Sequence, residues 1–251
     1  MKMSHDKVFK ATRRYFLSSV AALSFTTYAS HVYAQSISGK LPWHPFAGEP
    51  PQPSISGWYF FKPEEARAIE AIVDRLIPAD DLSMGGKDAG CAAFIDRQLA
   101  GSYGDSSRLY TQGPFLPGLP TQGYQGEATP AMRYRTGLAA IDAFLRKTQN
   151  NRGFAELSAQ EQDEFLKNLE GGKVDLGKIN GAGLFNLLLQ NTMEGFFADP
   201  IYGGNRDMVS WKMIGFPGAR YDYRDHVSKH NLPYPHGPVS ITGAPTWSRK
   251  S

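Results

Sequence analysis

The chain has 251 residues, 27 Lys and Arg against 24 Asp and Glu, and a single cysteine. One cysteine excludes an internal disulfide, a Cys-x-x-Cys-His haem attachment and an iron–sulfur cluster held by four thiolates. The near balance of charge gives no basic patch for nucleic acid.

The first 34 residues read as an export signal. Lys2, Lys7, Lys10, Arg13 and Arg14 precede a mildly apolar run, Phe16 to Ala29, and Val32-Tyr33-Ala34 supplies the small residues of a cleavage site. The run contains Ser and Thr throughout and is shorter than the roughly 20 residues that a bilayer span needs. Thr12-Arg13-Arg14-Tyr15-Phe16-Leu17 follows the twin-arginine pattern, a receptor-read address in bacteria, with Ser18 where Lys is common. Cleavage after Ala34 removes five of the 27 basic and one of the 24 acidic residues, leaving 22 against 23. The mature chain is therefore close to neutral, and no polybasic segment argues for a lipid surface.

Residues 35–60 form a proline-rich extended arm, with prolines at 42, 45, 50, 51 and 53. Such a segment has no core of its own, and Trp43, Phe46 and Trp58 favour its lying along another surface. Residues 61–251 read as one mainly α domain with long irregular loops rich in Gly, Pro and aromatic residues. Pro63 opens a helix to Ile77, with Glu64 and Glu65 in its first turn and Ile69, Ile72, Val73 and Leu76 on one face. A turn-rich loop leads to a second helix, Ala89 to Leu99, with Phe94, Ile95 and Leu99 inward. Cys91 lies there as a buried structural thiol.

Gly104 to Gly126 is a long loop. Thr129-Pro130 caps and starts a third helix to about Thr148, with Leu138, Ile141, Phe144 and Leu145 inward. Ser158 and Glu161 make a capping box for a fourth helix through Phe165, Leu166 and Leu169, stopped at Gly171-Gly172. A fifth runs from about Ala182 to Phe197, burying Leu184, Leu187, Leu188, Asn191 and Phe196. After Asp199-Pro200 regular signals fail, apart from a short helix at "MVSWKMI" and a possible strand at Val239 to Thr242.

Little in the chain carries chemistry. Gly181-Ala-Gly183 lacks the third glycine and the preceding strand of a dinucleotide site, and no Walker or Gly-x-Ser-x-Gly motif occurs. No catalytic, cofactor-binding or metal-ligating residue is expected. His226 and His230, four residues apart and near Asp222, offer the one metal alternative, an independent periplasmic metal-dependent enzyme. Against it, Pro233 and Pro235 follow closely and no Glu lies inside the pair. A sugar-binding module using the aromatic loops is a further alternative.

The stretch "NTMEGFFADPIYGGNRDMVSWKMIGFPGARYDYRD", with "RLIPADD", "FIDRQLAG", "QGPF", "GYQ" and "YRTGLAAID", resembles the gluconate 2-dehydrogenase subunit 3 family, the small (gamma) subunit of a membrane-bound dehydrogenase. The similarity runs from about Phe61 to Ile241. Ser83-Met84-Gly85-Gly86 stands where members often have a Pro-Gly-Ala turn. The resemblance implies a helical subunit without a cofactor of its own. Its partners would be an FAD-containing large subunit and a multihaem cytochrome c that passes electrons to ubiquinone. The small subunit would carry the export signal for the flavoprotein through the twin-arginine translocase. The complex, a heterotrimer, would sit in the periplasm against the cytoplasmic membrane.

Physical reasoning adds an expected partner interface. Irregular backbone needs its amide groups satisfied, and a partner can do that. Interface cores are rich in Tyr, Trp, Phe, Met and Arg. Phe196, Phe197, Tyr202, Asn205, Arg206, Trp211, Phe216, Arg220 and Tyr221 are the candidates, with about half of the aromatics expected to face the chain's own interior.

Overall fold

The computed structural model describes residues 57–110, 112–116, 118–220 and 223–241. The export residues Arg13, Arg14, Phe16, Leu17 and Ala34, nearly all of the proline-rich arm and Tyr221 lie outside them. The described residues fall within one compact unit, His44–Ser251.

Six α-helices make up the regular structure: α1 Pro63–Leu76, α2 Cys91–Leu99, α3 Pro130–Thr148, α4 Ala159–Glu170, α5 Gly181–Phe197 and α6 Val209–Ile214. No β-strand occurs among the described residues, and none of their helices is long and apolar enough to cross a membrane. The fold is mainly α, as the periodicity predicts.

Local chemistry sets most helix ends. Pro63 fits the first turn of α1, where the missing N–H costs nothing, and Glu65 accepts the Lys62 amide at 2.8 Å. Thr129 caps α3 by accepting from the Met132 amide. Ser158 and Glu161 cap α4 reciprocally, and Arg152 closes a bidentate pair on Glu161 at 2.7 and 3.0 Å. The fifth helix begins at Gly181, one residue ahead of expectation, because the Asn180 side chain accepts from the Gly183 amide.

Helix α5 is the centre of the packing, lying against α2 and α4 and also touching α1 and α3. Its apolar face, Leu184, Leu187, Leu188 and Phe196, is buried with Ile69, Ile72 and Val73 of α1 and Phe94, Ile95 and Leu99 of α2. Each such side chain contributes ~2 kcal/mol on burial. Polar groups inside this core are paired. Asn191 accepts from the hydroxyls of Tyr134 at 2.9 Å and Tyr103 at 3.2 Å, and donates to Glu194. Cys91 is fully buried, and desolvation pushes its thiol up to about 12.

In the described part of the expected strand at Val239 to Thr242, residues 239–241, there is a single bridge between Val239 and Gly218, and Thr242 lies outside the described residues. Pro217 and Pro238 flank the two partners and lack the N–H groups that a longer ladder would need.

Candidate partner interface

The segment after α5 is held by the core yet presents apolar side chains outward. Its first fastening is Asp199, whose buried carboxylate accepts from the Ile201 amide at 3.0 Å, the Ser240 hydroxyl at 2.6 Å and the Ile241 amide at 2.7 Å. The carboxylate thereby ties the tail at 240–241 to the end of α5.

The second fastening is Asn205, which is fully buried. It donates to the Ala198 carbonyl at 2.8 Å and accepts from the Ser210 amide and hydroxyl at 3.0 and 2.8 Å. Asn205 (φ 45°), Asp207 (φ 58°) and Met208 (φ 53°) are all left-handed, costly for residues other than Gly. Gly204 is required by contact: a Cβ there would collide with the Gly195 carbonyl of α5. The Arg206 amide donates to the Ala89 carbonyl at 3.0 Å, fixing the turn against the start of α2.

The sequence-predicted interface residues divide. Phe196, Asn205 and Trp211 are buried in the chain's own fold, and the Trp211 indole N–H donates to the Phe197 carbonyl at 2.9 Å. Phe197, Arg206 and Arg220 are half-buried. Tyr202 and Phe216 stand 49% and 45% exposed. Met193, Ile201, Met213 and Ile214 are exposed apolar residues in the same part of the chain. Apart from Met193, which lies on α5, these exposed side chains come from a segment whose backbone is pinned by Asp199 and Asn205, so they are presented in fixed positions.

Two of the histidines stand in an aromatic cluster. The rings of His226 and His236 meet edge to face at 5.7 Å and both contact Tyr234. Burial holds His236 below its ordinary value, and Arg220, His226 and Lys229 add to the depression. Among the described residues no group of three or more His, Cys, Asp or Glu is placed to share a metal ion. His230 is exposed, and Asp222 lies outside the described residues.

Sequence reasoning missed Asp96. It is fully buried on α2 and accepts from three successive backbone amides, Tyr59 at 2.8 Å, Phe60 at 2.9 Å and Phe61 at 2.9 Å. Arg97 lies over the Tyr59 ring at 5.1 Å and Arg135 over Phe60 at 4.2 Å. The end of the arm is thereby locked to the helical core. The available signal was an acid set directly beside Ile95 in a nine-residue helix that is otherwise largely apolar.

Comparison with known families bears on this pinned segment directly. The family model described as gluconate 2-dehydrogenase subunit 3 matches residues 63–218, from the first residue of α1 to the glycine that bridges Val239. The chain belongs to that family. The match covers more than half of the chain and includes both fastenings, Asp199 and Asn205. As a gluconate 2-dehydrogenase subunit 3 protein, the chain is a subunit of an oxidoreductase complex whose partners include a dehydrogenase. No curated protein and no solved structure matches it.

Proposed function

We propose that the chain is the non-catalytic small (gamma) subunit of a periplasmic, membrane-associated, FAD-dependent gluconate 2-dehydrogenase-type complex. It escorts the flavoprotein through twin-arginine export and stabilises it afterwards. FAD belongs to the large subunit and haem c to a cytochrome subunit, the third member of a heterotrimer. Family membership over residues 63–218 carries this reading. Two features support it. The Arg13-Arg14 address stands at the head of a chain in which sequence reasoning finds no catalytic motif. Tyr202 and Phe216 are presented outward on pinned backbone, as a docking surface requires.

The escort role is tested by replacing Arg13 and Arg14 with Lys in cells that express all subunits. The flavoprotein should then remain in the cytoplasm with its flavin, while the unaltered chain delivers it to the periplasm. Arrival of the flavoprotein in the periplasm with the doubly substituted chain would refute the escort role.

A further inference from the structure

Arg97, in the last turn of α2, touches two parts of the chain that lie far apart in sequence. Its guanidinium lies over the Tyr59 ring, 5.1 Å from the ring centre. Its stem packs on the main chain of Gly203, where a Cβ would stand only 3.2 Å from Cδ of Arg97. Gly203 has a φ of 97°, which excludes most side chains in any case. Tyr202 precedes it directly. One side chain therefore joins the end of the arm to the pinned segment that presents Tyr202 and Phe216.

Arg97 is held there without an acid of its own. Nη1 donates to the Ala93 carbonyl at 3.1 Å. The described carboxylate within ion-pair reach is Asp96, at 3.9 Å, and both of its oxygens already accept from the amides of residues 59–61. Nε and Nη2 form no hydrogen bond to a described residue. A guanidinium positioned by packing, with donors to spare, suits a carboxylate that arrives from outside.

The ring beside it is as well prepared. Tyr59 is 65% exposed, yet its amide is fixed on Asp96 at 2.8 Å. The Arg97 side chain is only 19% exposed, confined between that ring and the Gly203 backbone. Little conformational freedom is left for a partner to remove, so a contact made here keeps most of its free energy for binding. A Tyr and an Arg side by side are also the residue types that carry most of the energy of protein interfaces.

We propose that Tyr59 and Arg97 extend the docking face beyond Tyr202 and Phe216, across α2 to the end of the arm, and that Arg97 receives a carboxylate of the dehydrogenase subunit. The partner surface at this point is an acidic side chain beside an apolar seat for the Tyr59 ring. Family membership implies a dehydrogenase among the chain's partners. The proposal rests on the reading of Tyr202 and Phe216 as docking residues, and it adds the acidic chemistry of what docks there.

The test uses the full chain in cells that express all subunits. A photoreactive benzoylphenylalanine in place of Tyr59, a side chain that the core does not need, should on irradiation join the chain to the dehydrogenase subunit. Arg97→Gln should lower recovery of the flavoprotein about tenfold and make the remaining association less sensitive to salt. Arg97→Lys, which keeps the charge, should retain more of it than Arg97→Gln. An adduct on another subunit or on a second copy, or no adduct, overturns the proposal. So does an equal loss in the Gln and Lys variants, or recovery and salt dependence unchanged from wild type. Tyr202→Ala with Phe216→Ala separates the two readings. If that pair still retains the flavoprotein, the docking face itself is wrong; if it releases the flavoprotein while the tests at Tyr59 and Arg97 fail, only this extension falls.

Discussion

At the residue scale, two buried aspartates act as fasteners. Asp96 takes three backbone amides from 59–61, and Asp199 takes two amides and a hydroxyl from Ile201, Ser240 and Ile241. Removing such an acceptor leaves its buried donors unsatisfied, at about 1–3 kcal/mol each. Asp96→Ala should therefore cost about 3 kcal/mol or more and lower the melting temperature by roughly 10 °C, read by thermal unfolding of the mature chain. A melting temperature within a degree or two of wild type would show that the three bonds contribute little. Asp96 was illegible in sequence because its partners lie more than 30 residues away and are main-chain groups, which no side-chain pattern records. Cys91 was legible because its neighbours Ala92, Ala93 and Phe94 advertise a buried face.

At the element scale, legibility follows the range of the signal. The five longer helices were readable because their apolar residues repeat with the 3.6-residue period and their caps lie within three or four residues. Ser158 with Glu161 is the clearest example, and its chemistry predicts a pH dependence. Hydrogen bonds from Arg152 and from the Ser158 amide and hydroxyl hold the Glu161 carboxyl down to about 2. A carboxyl depressed in the folded state stabilises above its unfolded value, near 4.5, and loses that contribution as pH falls toward 2. Urea unfolding of wild type and Glu161→Gln should therefore differ at pH 6 and converge on approaching pH 2. An equal difference at both pH values would contradict the assignment. The turn at 203–208 had no such signal. Its left-handed residues are set by Asn205 reaching Ala198 and Ser210 and by Gly204 meeting α5, contacts that only the folded chain makes.

At the scale of the whole molecule, the stretch 196–216, from the end of α5 through the pinned segment, divides its aromatic residues between inside and outside. Trp211 and Phe196 complete the core, while Tyr202 and Phe216 are left to solvent on a backbone that cannot readily fold them away. Composition alone predicted such a division but could not say which rings fall on which side, because an irregular segment has no period from which to read a face. On the proposed function this outward face is the docking surface, and the family assignment implies a dehydrogenase among the chain's partners.

The direct measurement is isolation of the mature chain from periplasmic membranes, followed by the flavin spectrum of whatever accompanies it. The account predicts a flavin-bearing subunit with the unaltered chain. It also predicts much weaker recovery with Tyr202→Ala and Phe216→Ala together, since a central aromatic contact is worth about 2 kcal/mol or more. A chain that comes away without flavin, or a double variant that retains the flavoprotein as well as wild type does, would contradict it.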